Sequence, residues 1–375
     1  MNKAVRDELK EHLYKDVLHV AEADIPWEEL KDKTIMITGA GGFIGFYLVA
    51  SLLIRNDDYA QNTTVLAVVR SLERARAKYG ALMDSDDLIF IEQDVCAPFV
   101  KCTDDDEYAE EFIGSGSDQV SCDYIIHAAS QASAWHFEND PVGTIRANLV
   151  GTDNILALAK ECNAKTLIIS SLKTYGRVTS GVSSLSEETR GDVDFDLYKN
   201  CYAVGKRAAE NLAACYSKQY GMDIKLVRPS YIYGAASLDD DRVWAQFIAN
   251  VIRGENILLK SNGAPYRSFC YVSDTARAIY TVLLKGENMT PYNIADDIGN
   301  ITIRDFAKEA VNAFPEKHLT LSFANPEDEQ EPVQDYSSQS PEILDSTKLK
   351  SLGWKAEVDI SSGIKRAVAI LLEKC

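Results

Sequence analysis

The chain has 375 residues, of which 46% are hydrophobic, and a formal net charge of −18 at pH 7. This length and composition suffice for one large or two moderate globular domains. The negative charge argues against a protein that binds nucleic acid or an anionic membrane, because both partners are themselves anionic.

The cysteine, histidine and hydropathy patterns argue against a disulfide-bonded protein, a metalloprotein and a membrane protein. The eight cysteines form no Cys-x-x-Cys pair, and the five histidines lack the spacing of metal ligands. We therefore expect reduced thiols and no metal site. No apolar run is as long as a membrane span, and no secretory signal opens the chain, so we expect a cytoplasmic protein without a membrane partner.

The predicted elements begin with a polar helical extension at residues 1–32, whose apolar positions follow helical spacing. From residue 33, short apolar runs alternate with longer helical patterns, as in a parallel sheet covered by helices on both faces. The predicted strands are 34–38, 64–69, 88–91, 122–128, 167–171 and 224–227. The predicted helices in this part are 43–53, 141–162 and 200–220.

Beyond residue 233 the pattern loosens, with predicted helices at 242–252, 302–313 and 361–372 and an acidic loop at 325–339. We expect an α/β fold: a Rossmann-type, doubly wound parallel sheet with a smaller C-terminal substrate-binding lobe. The Rossmann domain would span 33–232, with a return segment near 266–285. The lobe would comprise 233–265 and 286–375.

The first predicted strand runs into a glycine turn, Gly39, Gly42 and Gly45, that opens a helix. A strand, a glycine turn and a helix in this order are typical of a cradle for a dinucleotide pyrophosphate. Gly39 permits a sharp turn, Gly42 lets backbone N–H groups approach the anion, and Gly45 permits close helix packing. Phe43 and Ile44, at the helix N-terminus, are predicted to contact the cofactor as well.

A second motif lies downstream, where Tyr202 and Lys206 form Tyr-x-x-x-Lys on a predicted helix. Residues four apart share a helix face, so Lys206 would lie beside the Tyr202 phenol. Its charge would lower the pKa of the phenol toward that of a general base. Ser171, at the end of a predicted strand, would hydrogen-bond the substrate oxygen that Tyr202 deprotonates. These three residues are predicted to be catalytic.

The two motifs together resemble the extended short-chain dehydrogenase/reductases that modify nucleotide sugars, and the resemblance covers about residues 33 to 370. It implies a nicotinamide cofactor, a nucleotide-diphosphate sugar substrate and a homodimer built on helices 141–162 and 200–219. The cofactor contacts that it implies, beyond the glycine turn, are Asp94, Val95, Ala128, Ala129, Asn148, Tyr202 and Lys206. The implied substrate contacts are Ser130, Arg242 and Arg267, with the two arginines at the diphosphate.

Within that family the helix 201–210 most resembles UDP-glucuronate decarboxylases, but the end of the preceding strand differs. Those decarboxylases carry Thr-Ser-Glu where this chain carries Ser171, Leu172 and Lys173. Decarboxylases and 4,6-dehydratases use a carboxylate there, whereas UDP-galactose 4-epimerases have none and CDP-sugar enzymes have lysine. The resemblance thus favours a nucleotide-sugar epimerase that recycles its cofactor, with a decarboxylase or 4,6-dehydratase as the alternative. Lys173 is either a catalytic residue facing the substrate or a solvent-exposed loop residue.

The end of the second predicted strand leaves the choice between NAD and NADP open. NAD-specific relatives carry Asp there for the ribose hydroxyl, but this chain has Val69 followed by Arg70. A cation without a carboxylate suits a 2′-phosphate, which permits NADP and, as a further alternative, an NADP-dependent carbonyl reductase. Because relatives that return the hydride to the same cofactor mostly hold NAD, we predict NAD, with Arg70 near its ribose.

Overall fold

The centre of the molecule is a seven-stranded sheet in which all neighbouring strands are parallel. The computed structural model describes residues 3–99, 121–178, 182–325 and 342–374. The strands of this sheet are β1 (Thr34–Thr38), β2 (Thr64–Val69), β3 (Leu88–Glu92), β4 (Tyr124–His127), β5 (Lys165–Ile169), β6 (Ile224–Pro229) and β10 (Pro291–Ile294). Their order across the sheet is β10-β6-β5-β4-β1-β2-β3.

Hydrophobic cores lie on both faces of this sheet, because its central strands are apolar on both sides. In β1, Ile35 and Ile37 enter one core and Met36 enters the other. The helices of this part are α2 (Phe43–Tyr59), α3 (Leu72–Tyr79), α4 (Ala134–Asn139), α5 (Pro141–Cys162), α6 (Cys201–Tyr220) and α8 (Val272–Lys285). The predicted fold class, a doubly wound α/β sheet, is confirmed.

Two predicted boundaries differ from the structure in ways that matter for the site. Helix α2 continues six residues beyond the apolar stretch 43–53, because polar residues extend it until Ala60 takes a left-handed conformation. Strand β5 ends at Ile169, so Ser170 and Ser171 lie beyond the strand and not within it. Most of the predicted acidic loop 325–339 lies outside the described residues.

The remaining strands form two small sheets in the C-terminal part of the chain. Strands β7 (Tyr231–Tyr233), β9 (Tyr266–Tyr271) and β11 (Asn300–Thr302) make one, and β8 (Ile257–Leu259) pairs with β12 (Leu321–Phe323). Their helices are α7 (Val243–Arg253), α9 (Ile303–Asn312), α10 (Thr347–Lys350) and α11 (Ile360–Lys374). Strand β10 pairs with β6 in the main sheet, so the expected assignment of all of 286–375 to the lobe needs this correction.

The N-terminal helix α1 (Lys3–Ala21) packs against α2, α8 and α11 through buried residues such as Leu13 and Val17. Its carboxylate Asp16 is only 2% exposed. It accepts hydrogen bonds from the phenols of Tyr47, at 2.7 Å, and Tyr271, at 3.0 Å. Because buried carboxylates need such partners, these bonds fix α1 to both parts of the molecule.

The topology places a crevice at the carboxyl ends of β1 and β4. These neighbouring strands lead to α2 and α5, which return to opposite halves of the sheet, and ligands of doubly wound sheets bind at such a switch point. Among the described residues, no helix is long and apolar enough to cross a membrane. Within the same ranges, no cluster of three or more His, Cys, Asp or Glu side chains could hold a metal ion.

Candidate active site

A cavity of 540 Å³ lies in this crevice and brings most of the predicted site residues together. The predicted residues that line it are Gly39, Gly42, Phe43, Ile44, Gly45, Ala128, Ser130, Ser171, Lys173, Tyr202, Lys206, Arg242 and Arg267. The glycine turn and the Tyr-x-x-x-Lys motif thus face one cavity. Their closest predicted members in the sequence, Gly45 and Tyr202, are 157 residues apart. A cavity of this volume is within the usual range for small-molecule sites.

The glycine turn fits a dinucleotide because its backbone is packed too closely for side chains. A Cβ atom on Gly42 would lie 2.9 Å from the Gly39 carbonyl oxygen, and one on Gly45 would lie 2.3 Å from the same atom. Gly39 has a φ of 66° and touches the backbone that follows β4. The N-terminus of α2 therefore opens into the cavity with its backbone uncovered, as pyrophosphate binding requires.

Lys78, on α3, is a contact of this turn that the sequence pattern did not indicate. Its ammonium group donates hydrogen bonds to the carbonyl oxygens of Gly41, at 3.0 Å, and Gly42, at 2.7 Å. These bonds hold the glycine turn to α3 from the side. No local motif could have identified Lys78, because it follows the turn by 36 residues on a separate helix.

Some predicted cofactor contacts lie around the cavity without lining it. The Ala129 N–H donates to Thr38 Oγ1 at 3.1 Å, directly behind the turn. Asn148 is buried, and its amide oxygen accepts the Ser130 hydroxyl at 2.8 Å. These hydrogen bonds lie behind the residues that line the cavity, and contact of Ala129 or Asn148 with a cofactor stays a prediction.

The residues predicted to contact the adenosine end of the cofactor also lie outside the cavity lining. Asp94 is exposed and accepts the Cys96 N–H at 2.8 Å, whereas Val95 is 5% exposed. The Val95 side chain packs toward Gly151, where an added Cβ would approach it to 2.7 Å. Arg70 is exposed immediately after β2. None of the three lines the cavity, and their contact with a cofactor stays a prediction.

Tyr202 lines the cavity. Its ring stacks on Phe137 of α4, with ring centres 4.9 Å apart. Burial raises the pKa of Tyr202, while the Ser171 hydroxyl that faces the phenol and the charge of Lys173 act to lower it. Phe137 is a second neighbour that sequence motifs did not indicate, and it contributes to this burial.

Lys206 is placed differently from the expectation. Its ammonium group donates to the Ile169 carbonyl oxygen at 2.7 Å and lies 5.8 Å from the centre of the Tyr202 ring. Burial lowers the pKa of Lys206 to about 8. The cation that lowers the pKa of Tyr202 in this structure is Lys173, and the expected contribution of Lys206 stays a prediction.

Lys173 belongs to a charged cluster in the cavity wall that combines distant parts of the chain. Its ammonium group donates to the Tyr231 phenol at 3.0 Å and to the Glu342 carboxylate. Tyr231 donates to Glu342 at 2.5 Å, and Arg267 pairs with Glu342 at 2.8 Å. Lys173 is therefore tied to the cavity wall although its side chain is 41% exposed, and its role toward the substrate stays a prediction.

The charges of this cluster hold both members of the pair ionised. Burial alone would lower the pKa of Lys173, but Tyr231 and Glu342 raise it above its ordinary value. Burial alone would raise the pKa of Glu342, but Lys173 and Arg267 lower it. Two cations, Lys173 and Arg267, thus line the central cavity here, and Glu342, the anion that pairs with both, does not line it. The sequence did not reveal Glu342, which lies 169 residues from Lys173.

Arg242 also lines the cavity and is also paired. Its guanidinium group binds both oxygens of Asp240, at 2.8 and 2.6 Å, and lies over the Phe43 and Trp244 rings. Arg242 and Arg267 both reach the same cavity, as a diphosphate would require. Their present partners are carboxylates, so substrate binding by either arginine stays a prediction.

A glycine cradle at the switch point, with tyrosine, serine and lysine facing the same cavity, defines an enzyme that uses a nicotinamide dinucleotide. The chain belongs to the NAD dependent epimerase/dehydratase family, whose model matches residues 35–295. It is an enzyme of the extended short-chain dehydrogenase/reductase type, and the predicted cofactor, NAD, agrees with that of the family.

Individual relatives agree with this assignment. UDP-glucuronic acid decarboxylase 5 of Arabidopsis thaliana is 30% identical over 335 residues, which cover 88% of this chain and 86% of that protein. UDP-glucuronic acid decarboxylase 1 of Danio rerio is 26% identical over 337 residues, covering 90% and 72%.

Among solved structures, the fold is similar to UDP-glucose 4-epimerase of Thermotoga maritima, with a TM-score of 0.69, 22% identity and coverage of 91% and 99%. It is also similar to UDP-glucuronic acid 4-epimerase of Bacillus cereus, with a TM-score of 0.69, 19% identity and coverage of 91% and 100%. At these identities the likeness concerns the fold alone.

Proposed function

We propose that this enzyme is a nucleotide-sugar epimerase that oxidises a sugar hydroxyl transiently and returns the hydride from the same bound cofactor. One observation supports this choice over the alternatives. The described residues that line the central cavity include Tyr202, Ser171 and Lys206 but no carboxylate. Epimerisation through a keto-sugar needs one proton-transfer group, whereas a 4,6-dehydratase needs a further acid and base.

In the proposed mechanism, Gly39, Gly42 and Gly45 would hold the dinucleotide, which when bound accepts and returns the hydride. Tyr202, as the phenolate, takes the proton of the sugar hydroxyl and becomes the neutral phenol, and Ser171 donates a hydrogen bond to the same oxygen. After the keto-sugar has rotated in the cavity, so that its other face is presented to the cofactor, Tyr202 gives the proton back. Lys206 supplies a positive charge within the same site, and Phe137 keeps the Tyr202 ring in place.

The second candidate is decarboxylation of a nucleotide-linked uronic acid. The cluster around Lys173 favours it, because Lys173 and Arg267 outnumber their single carboxylate, Glu342, and the remaining positive charge could attract a sugar carboxylate. The curated relatives that are UDP-glucuronic acid decarboxylases support the same alternative. A carbonyl reductase using NADP through Arg70 is less well supported, since it leaves Arg242 and Arg267 without a diphosphate to bind.

Product mass separates these candidates. We expect the purified enzyme, incubated with UDP-, dTDP-, CDP- and GDP-sugars, to yield a product of the same mass as its substrate, with an altered NMR coupling pattern at one carbon. Loss of carbon dioxide would make the decarboxylase the correct function, and loss of water would make it a dehydratase. Consumption of stoichiometric NADPH would establish a reductase.

Lys173→Ala tests whether the charged cluster acts on the substrate. We expect turnover to fall roughly 100-fold, at the lower end of the range for acid–base and electrostatic groups, with NADH affinity unchanged. Lys199→Ala is the matched control, because Lys199 is also paired to a glutamate, Glu138, but is 54% exposed outside the cavity. Equal turnover of both variants and the native enzyme would contradict a substrate role for Lys173.

We also propose that the enzyme is a cytoplasmic homodimer that pairs α5 and α6 of two subunits. From the sequence, Ile155, Leu156, Leu158, Leu212 and Ala213 would contribute to the helix faces, in part toward the sheet. In the structure all except Leu212 are buried inside the subunit, and Leu212 is partly buried against the same core. The dimer face would instead use exposed apolar residues of α5, namely Val142, 66% exposed, and Leu149, 38% exposed.

Leu149→Glu tests this pairing, because a charge placed in an apolar interface must be desolvated without a partner. We expect the native protein to be dimeric by light scattering at micromolar concentration and the variant to be monomeric. Leu258→Glu is the control, since Leu258 is an exposed leucine on β8, in the small β8–β12 sheet and not on α5 or α6. A monomeric native protein would contradict the proposal directly.

A further inference from the structure

The end of β5 and one face of α6 meet in a regular set of contacts. On α6, Tyr202, Lys206 and Glu210 are spaced four residues apart and share a face. Each faces one of three consecutive residues, Ile169 to Ser171, at and just beyond the end of β5. The Ile169 carbonyl accepts from Lys206 at 2.7 Å, Ser170 donates to Glu210 at 2.5 Å, and the Ser171 hydroxyl faces the Tyr202 phenol.

Glu210 is also bound by Arg228 of β6. The guanidinium group binds both carboxylate oxygens, at 2.9 and 2.6 Å. The two side chains are 13% and 9% exposed, so the pair is largely shielded from solvent. Arg228 also donates to the Tyr175 phenol at 3.1 Å, which fixes its orientation. The Glu210 carboxylate therefore has little freedom to move away from α6 and β5.

We propose that Glu210 is a positioning residue of the cofactor site, whose fixed negative charge keeps Lys206 protonated and directed at the end of β5. The proposal goes beyond the reaction itself, because it concerns the cofactor-facing lysine and applies whichever sugar chemistry the enzyme performs. Lys206 is 4% exposed and has no carboxylate of its own in direct contact among the described residues. The nearest negative charge that acts on it is Glu210.

The other groups that face Lys206 cannot replace this charge. From its own helix these are Tyr202 and Glu210. From β4, His127 faces it, but both ring nitrogens are bonded to threonine hydroxyls, and burial lowers the pKa of His127 to about 3. From β6, Arg228 lies behind Glu210 and is itself a cation. Burial lowers the pKa of Lys206 to about 8, and the charge of Glu210 opposes that fall.

The test is the pH dependence of NADH binding, measured by fluorescence between about pH 6 and pH 10. A lysine whose pKa is lowered loses its charge as the pH rises through that pKa, so we expect the affinity of the native protein to fall above about pH 8. Glu210→Gln keeps the shape of the side chain and removes its charge. We expect it to move this fall downward by roughly one pH unit, as loss of a nearby charge in a shielded site should.

Three further variants make the result specific. Glu210→Asp keeps the charge, so its NADH affinity should fall near the same pH as that of the native protein. Asp153→Asn removes a carboxylate that joins α5 to α6 away from the cavity, and it should also leave that pH unchanged. If Glu210→Gln does not fold, the double variant Glu210→Gln with Arg228→Met replaces it, because removing both members of a buried ion pair is tolerated better than removing one. The double variant also lacks the carboxylate, so its NADH affinity should again fall at a lower pH than that of the native protein.

A fall at the native pH in the glutamine or double variant would overturn the proposal. So would a shift in Glu210→Asp as large as that in Glu210→Gln, because the charge could then not be the cause. These readouts need no turnover. Failure of the proposed epimerase function would appear in the product analysis and leave the NADH titration unaffected.

Discussion

Tyr202→Phe is expected to remove turnover while NADH and nucleotide binding remain. The change deletes one oxygen atom from a residue that lines the cavity and leaves the ring stacked on Phe137. Without the phenol, no described cavity-lining group next to Ser171 can take the proton of a sugar hydroxyl. General acid–base groups contribute about 10²- to 10⁴-fold, and we expect a loss in that range. The measurement is substrate conversion by mass spectrometry and NMR, with NADH affinity by fluorescence.

The matched control is Tyr198→Phe, which removes the phenol of a nearby tyrosine. Tyr198 is 51% exposed and donates to Glu138 at 2.8 Å outside the cavity. We expect near-native turnover for this variant. Near-native turnover of Tyr202→Phe would exclude Tyr202 as the proton-transfer group, whichever sugar is the substrate. Loss of NADH binding in the same variant would show instead that the phenol is structural.

The parts of the site that sequence predicts are those encoded locally. The glycine turn needs only residues 34–45, because strand, turn and helix follow one another without a gap. Tyr202 and Lys206 need only helical spacing. Parallel strands present their carboxyl ends on one edge of the sheet, so the fold class then brings both motifs to one crevice. Their common cavity follows from these elements together.

The charged cluster around Lys173 could not be predicted in this way. Its members come from the turn after β5, from β7, from β9 and from residue 342, and the contact between Lys173 and Glu342 spans 169 residues. Local pattern gives only that Lys173 replaces a carboxylate of the relatives. The compensating carboxylate is supplied from the far end of the chain, and only the tertiary structure shows that the two charges meet.

The N-terminal extension illustrates a second limit. Helical spacing at 1–32 predicts a helix but not what it packs against. Asp16 would be assigned to the polar, exposed face by sequence, yet it is 2% exposed between Tyr47 of α2 and Tyr271 of β9. The buried carboxylate is stable there because two phenols and Arg366 satisfy it. A polar residue in a core is thus explained by partners that the sequence does not place near it.

Gly42→Val is expected to abolish cofactor binding. Gly42 has an ordinary φ of −75°, so the backbone itself tolerates a side chain, and the obstacle is space. A Cβ atom would lie 2.9 Å from the Gly39 carbonyl oxygen, and valine adds two methyl groups at the mouth of the cradle where the pyrophosphate would approach. Binding of NADH, measured by fluorescence, should fall below detection, and turnover should be lost with it.

Gly41→Ala is the control that separates this effect from general damage to the turn. At Gly41, one residue earlier, an added Cβ would meet only a Val69 methyl group, at 3.7 Å, which is an ordinary contact. We therefore expect this variant to bind NADH with near-native affinity and to unfold at the native temperature. If Gly42→Val also binds NADH normally, the pyrophosphate does not lie on this turn. If both variants lose binding equally, the turn tolerates no side chain at all and the close approach at Gly42 is not the reason.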